Sequence, residues 1–207
     1  MKILFVYAFV VFGVCACTSA PIDGVSERVA DLPEAVGGIN FFVYLNVVPV
    51  QPADRMRFAQ PDLLKMEAAE SDADGYDPSA QIRPLLVTLR EHIHLPFRNA
   101  GIPAKSYVAG SRYRWDELRR DRLNYRLTVW ATRSQVAGQP EQVDLWFALQ
   151  NEAAGRRVWT RVVKNAFASL LAGGSQVTDS RQVALAEKIA NDTMAALTRD
   201  GVVLPVH

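Results

Sequence analysis

Cysteine is nearly absent from this chain. Cys15 and Cys17 are the only two in 207 residues, and both lie near its start. Beyond residue 17 there is none, which excludes a disulfide framework and a thiolate metal site from the body of the chain. Histidine is almost as scarce, with His92, His94 and His207. His92 and His94 stand two apart, so on a helix they point to different faces and do not chelate one ion; they read as boundary histidines. No charge of one sign prevails, the formal net charge being +1. That gives no electrostatic ground for binding nucleic acid. No apolar run is long enough to span a bilayer, since the longest, Ile3 to Val14, holds about a dozen residues where about 20 are needed. There is no Gly-x-Ser-x-Gly elbow, no glycine-rich phosphate loop and no zinc spacing.

These absences bear on catalysis. A nucleophile needs a base and a group to orient it, and few histidines are available. The carboxylates that stand close in sequence, Asp116 and Glu117 and the run Glu67, Glu70, Asp72, Asp74 and Asp77, fall in apparent loops. There they lack apolar surroundings to raise a pKa. The acidic run has oxygen ligands for a divalent cation, yet lacks the spacing and terminal glutamate of an EF-hand loop, and it reads as a solvated loop. The expectation is a protein that is not an enzyme, with no cofactor and no metal.

What is present begins with the N-terminus. Lys2 followed by Ile3 to Val14 suits a signal peptide's positive start and apolar region. The run ends in Val14-Cys15-Ala16-Cys17 and then Thr18-Ser19-Ala20-Pro21. This resembles a bacterial lipobox. The resemblance implies removal of residues 1–16 and acylation of Cys17, whose chains exceed the two signals that stable anchoring takes. Cutting before Cys15, or an ordinary cleaved signal peptide, are the alternatives. Thr18 in place of Asp at the next position implies sorting to the outer membrane, on its periplasmic face.

Residues 17–38 read as a tether, interrupted by Pro21, Gly24, Pro33, Gly37 and Gly38. Residues 39–207 read as one domain, of a size that supports a core. Ile39 to Val50 is apolar on both parities and rich in β-formers, the mark of a buried strand closed by Pro49 and Pro52. Gln51 to Pro78 reads as a long acidic loop. Ser79 to Asn99 carries Ile82, Leu85, Leu86, Leu89 and Ile93 at helical spacing, with Pro84 in the first turn, a cap from Asp77 or Ser79, and Pro96 as the stop. Lys105 to Trp115 reads as a strand, Asp116 to Asp121 as a hairpin tip and Leu170 to Thr178 as a loop. A last helix, Arg181 to Arg199, takes its cap from Asp179 or Ser180 and its end at Gly201. The predicted fold class is α+β. About five strands form a mainly antiparallel sheet with two helices on one face, in the order β-α-β-β-β-β-α.

Three strands between Tyr125 and Phe167 carry the most unusual pattern. Leu127, Val129, Val143, Leu145, Phe147, Leu149, Val158 and Val162 share one parity. On the other, strict alternation places Trp130, Trp146 and Trp159 together with Arg126, Arg157 and Arg161. Trp and Arg are the types most enriched at interaction hot spots, so these six residues are the candidate interaction face. A protein partner or sister subunit, a glycan stacking on the indoles, or the chain itself would cover them.

The order of elements behind a lipobox, with the hairpin Tyr125-Arg-Leu-Thr-Val to Val143-Asp-Leu-Trp-Phe-Ala-Leu-Gln and the turn Gly155 to Val158-Trp159, resembles a group of bacterial envelope lipoprotein domains. The group holds the N-terminal domain of the Tol-system β-propeller protein, the curli-secretion lipoprotein, the lipoprotein activator of penicillin-binding proteins and the Pel-polysaccharide export lipoprotein. The resemblance covers roughly residues 39–203 and implies a lipid-anchored accessory of an envelope machine, acting by contact with an envelope protein or with copies of itself. The same order recurs in auxiliary lipoproteins of lipid and lipopolysaccharide ABC transport, which is the alternative. An enzyme of the cell wall is the third.

Overall fold

The structure is a computed structural model, and it describes residues 24–50, 82–108, 123–134, 142–168 and 179–204. The lipobox with Cys17, the acidic stretch 51–78, the hairpin tip 116–121, the loop 170–178 and His207 lie outside them. The chain runs β1 (Gly24–Arg28), β2 (Ile39–Pro49), α1 (Arg83–His92), α2 (Leu95–Asn99), β3 (Ala104–Val108), β4 (Tyr125–Ser134), β5 (Gln142–Asn151), β6 (Arg156–Val163) and α3 (Asp179–Arg199). The six strands form one sheet in the order β1-β6-β5-β4-β2-β3. The α+β class is as expected, with one strand more.

Pairing follows from the connections. Few residues separate β4 from β5 and β5 from β6, and those pairs are antiparallel, as strands so closely connected require. The path from β2 to β3 passes through α1 and α2, and a helical crossover returns the chain parallel. β2 also lies parallel to β4. The antiparallel part of the sheet is therefore β4, β5, β6 and β1, and β2 is the strand with parallel neighbours on both sides. Parallel strands sit deepest in a sheet, which accounts for the doubly apolar sequence of β2.

Residues 24–38 depart from the expected tether. Gly24–Arg28 pairs with β6, Gly24 opposite Val163 and Arg28 opposite Trp159. The stretch after it is clipped to the sheet. Asn124 Oδ1 accepts from the Gly37 and Gly38 amides at 3.0 and 3.2 Å, and Asn124 Nδ2 donates to the Ala35 carbonyl at 2.9 Å. Tyr125 Oη donates to the Glu34 carbonyl at 2.7 Å, and Arg156 Nη2 to that of Asp31 at 2.7 Å. Polar side chains from other strands supply the partners that these backbone groups need. Such partners leave no periodic trace in the sequence of the stretch they hold.

The expected single helix of residues 79–99 is two. Pro84 sits in the first turn of α1, where its missing N–H costs nothing. Pro96 does not stop a helix but sits in the first turn of α2. Pro96 has no N–H to donate to the carbonyl four residues back and its ring crowds that carbonyl, and the break falls at Ile93 and His94. Ile82, at the start of α1, makes no side-chain capping bond. The last helix ends as expected. Gly201 has φ +67°, its amide donates to the Thr198 carbonyl, and that of Val202 to Leu197. This is a Schellman closure, with Val202 and Leu197 both in the core.

The main core lies between the sheet and the helices. It includes Phe41 and Val43 of β2, Leu127 and Val129 of β4, Leu145, Phe147 and Leu149 of β5, and Leu86, Leu89, Ile189 and Leu197 of the helices. The Phe41 and Phe97 rings meet at 4.9 Å between centroids, pinning α2 to β2.

Candidate functional site

The six expected site residues do not share one face. A bulge separates them. In the β5–β6 ladder Leu149 stands opposite Trp159 and Gln150 opposite Arg157, so Val158 has no partner on β5. One extra residue reverses the side-chain parity beyond it. Trp159 and Arg161 thereby turn to the helix-covered face with Val163. Val162, expected among the aliphatic core positions, turns to the other face and packs with Trp130 and Trp146. Strict alternation fails here because a bulge is set by ladder geometry, and nothing in Arg156-Arg-Val-Trp-Thr-Arg161 marks it.

The open face carries three cross-sheet rows, read from the register. In the first, Val25, Val162, Trp146 and Trp130 are successive partners. The two indoles lie 6.4 Å apart between centroids at 11°, an offset stack that adds to their burial. Trp146 Nε1 donates to Thr132 Oγ1 at 2.8 Å. Tyr44, Ala148 and Val48 complete this second apolar cluster. Trp130 is 2% exposed and Trp146 5%, so any ligand stacking on them has first to displace what covers them within the chain.

The second row is Glu27, Thr160, Ala148, Thr128, Phe42 and Tyr107, and the Phe42 and Tyr107 rings stack at 5.5 Å. The third is Arg157, Gln150, Arg126, Asn40 and Lys105. Arg126 donates to Gln150 Oε1 at 3.3 Å and approaches Glu152 Oε1 at 3.3 Å. Burial pushes the Glu152 carboxyl above the usual carboxylate range, and Arg126 pulls the other way. Asn40 is fully buried, and among the described residues neither polar atom of its side-chain amide has a hydrogen-bond partner. The face away from the helices therefore holds an apolar row of tryptophan and a polar row with arginine, with the row from Glu27 to Tyr107 between them. Of the expected six, Arg126, Trp130, Trp146 and Arg157 lie on these rows.

Trp159 and Arg161 belong to a different arrangement, between β1, β6 and the end of α3. Asp200 Oδ2 accepts from Ser26 Oγ at 2.6 Å and from Trp159 Nε1 at 2.8 Å, and Oδ1 accepts from Arg199 Nε at 3.0 Å. Arg199 also bonds Ser26 Oγ. Burial alone would push the Asp200 carboxyl up; the donors Ser26, Trp159 and Arg199 outweigh it and hold the group below its ordinary value. Arg161, 4% exposed, donates to Thr193 Oγ1 at 2.9 Å, and its guanidinium stands 5.9 Å from the centre of the Phe147 ring. Burial lowers its pKa, with Asp192 the main opposing charge. A Cβ on Gly24 would come 2.8 Å from Arg161 Nε, so a side chain there would require the guanidinium to shift. Sequence reading missed Ser26, Thr193, Arg199 and Asp200, since no local motif joins Ser26 to Asp200 across 174 positions or Arg161 to Thr193 across 32.

Among the described residues no group of three His, Cys, Asp or Glu is placed to hold a metal. His92 Nδ1 stands 3.6 Å from Glu187 Oε1 and links α1 to α3. Burial lowers the pKa of His94, helped by Arg98 and His92. No described helix is long and apolar enough to cross a membrane.

No protein-family model matches the sequence, and no curated protein matches it. Among solved structures the chain is similar to a dodecamer of PelC from Paraburkholderia phytofirmans, in two crystal forms. A point variant in space group C2 is 13% identical, over 82% of this chain and 97% of that one, at a TM-score of 0.34. The form in space group P6 is 12% identical, over 82% and 96%, also at 0.34.

Proposed function

We propose that this chain is a non-catalytic lipoprotein facing the periplasm, anchored through Cys17 at the outer membrane. It serves as an accessory of an envelope machine, for secretion, polysaccharide export or peptidoglycan synthase activation, and acts by protein–protein contact. The observation that carries the contact reading is the free sheet edge at β1. Among the described residues no strand lies beyond it in the sheet, and it presents Val25 at 68% exposure, with Val29 at 45% just after it. An unpaired strand edge with outward valines is a template for another chain. Natural sheets blunt such edges unless they are used. From Cys17 to Gly24 the chain reaches at most about 25 Å, which holds the Gly24 end of the sheet near the bilayer that carries the anchor.

The test is cross-linking and pull-down of the full lipidated chain from native membranes. Val25→Lys together with Val29→Lys is expected to lower recovery of a partner or of a second copy at least fivefold, with melting unchanged. Unaltered recovery rejects the β1 edge as the contact. Palmitate incorporation lost in Cys17→Ser supports the anchor, and label that persists rejects that site.

A further inference from the structure

Arg161 is a cation that the fold buries with few partners. It lies on β6, 4% exposed, directly opposite Ser26 of β1. Its Nη1 donates to Thr193 Oγ1 on α3 at 2.9 Å, while its Nε is buried with no hydrogen-bond partner. Asp192 and Asp200 attract it as charges, and Arg199 opposes them. Gly24 lies across it. A Cβ there would stand 2.8 Å from Nε, 3.0 Å from Nη2 and 3.3 Å from Cζ. For a planar guanidinium those distances put the point close to the plane, off the Nε–Nη2 edge, which is an edge that takes a carboxylate side by side. β1 therefore lays bare backbone across the fork of a cation and brings no acceptor to its Nε. Burying a charged group with a hydrogen bond unmade opposes that closure. Closure is held by a ladder to β6 on one side and by the bonds of Ser26 to Asp200 and Arg199. Among the described residues no strand lies on the other side of β1.

We infer that β1 is a strap poised to open, and that Arg161 sets its balance. Lifting β1 returns the guanidinium to water and restores the hydration that burial removes. The ladder and the Ser26 bonds pull the other way. Opening stops at Val29 and Ala30, whose amides donate to the Val158 carbonyl at 3.0 and 3.4 Å. Beyond them Arg156, Tyr125 and Asn124 hold the carbonyls of Asp31, Glu34 and Ala35. Two consequences follow from an open strap. The chain between the anchor and the domain lengthens from residues 17–24 to residues 17–29, and its reach grows from about 25 Å to about 40 Å. The β1 edge is withdrawn at the same time, so the proposed contact and the longer reach exclude each other. Both consequences rest on the anchor at Cys17 and the contact at β1, whereas the opening itself does not.

The experiment is amide hydrogen exchange at residues 26–28 of the full lipidated chain in phosphatidylcholine nanodiscs, with no partner added. Arg161→Met keeps the bulk and removes the buried charge, and it is expected to slow exchange at these amides about tenfold. An arginine that merely props β1 would act in the opposite sense, since its loss would loosen the strand. Gly24→Asp leaves Arg161 in place and brings a carboxylate to its fork once the guanidinium shifts. It is expected to slow exchange about tenfold relative to Gly24→Asn, and that difference is expected to vanish when Arg161→Met is added. Exchange that is unchanged or faster in Arg161→Met overturns the inference, and so does equal exchange in the Asp and Asn variants. If melting shows Arg161→Met unfolded, the comparison of Gly24→Asp with Gly24→Asn decides alone. Partner recovery and palmitate labelling are separate measurements, so failure of the contact or of the anchor leaves this result standing.

Discussion

At the residue scale, Trp159 and Asp200 decide most. Trp159 is fully buried in the main core, and its indole N–H has its acceptor in Asp200. Trp159→Ala is expected to cost about 3–5 kcal/mol through the cavity and the lost burial. It also leaves Asp200 short of a donor, and a melting scan reads the sum. A melting point within a few degrees of wild type would show that Trp159 is not core. Asp200 carries the pH dependence. Its folded pKa lies below the ordinary carboxylate value, so its contribution is present above about pH 4 and is lost as pH falls through the lower folded pKa. Asp200→Asn is therefore expected to lower melting at pH 7 and to match wild type at strongly acid pH. A difference that stays constant with pH would assign the effect to packing alone. The type of residue at both positions was plain in the sequence, but their pairing was not. Forty-one positions separate them, and only the meeting of β6 with the end of α3 brings them together.

At the scale of elements, local chemistry and ladder geometry divide the work. The end of α3 was legible because a glycine at C′ has a physical reason confined to a few residues, a left-handed φ with no Cβ penalty. Gly201→Val puts a β-branched residue at that φ, and about 1–3 kcal/mol of destabilisation is expected by melting. The two roles of Pro84 and Pro96 show the limit of such local rules. Both prolines occupy first turns, yet only the first was readable so, because the apolar period runs unbroken through Ile93 and hides the second start. The bulge at Val158 is a stronger case. Period-two reading holds on β4 and β5, where Leu127, Val129, Leu145 and Phe147 face the helices as expected. It fails on β6 by one residue, and that residue moves Trp159 and Arg161 to the other side of the sheet. β1 is the remaining element that sequence concealed. Five residues of mixed polarity carry no periodic signal, and they form a strand because β6 offers them an edge. Amide exchange should show this ordering, with β1 opening faster than β4 and β5, since an edge strand has hydrogen bonds on one side only. Equal protection across these strands would place β1 inside the cooperative core.

At the scale of the molecule, the sheet has one face filled by helices and another with its own smaller apolar cluster, built on Tyr44, Trp130 and Trp146. This explains why about half the residues are hydrophobic, at 49%, in a chain whose described helices cover only one side. Under the proposed anchoring through Cys17, the Gly24 end of the sheet lies close to the bilayer.

The sequence by itself determined the class, the helix-facing parity of β4 and β5, the doubly apolar β2 and the closure of α3. Each of these rests on spacing within one segment or on composition, and a linear chain records both. The tertiary structure alone decided that β1 exists, that β2 runs parallel to both neighbours, and that the six tryptophan and arginine positions divide between two faces. Each of these depends on which strand supplies the partner for an unpaired backbone or side-chain group, and that is settled only when distant segments meet.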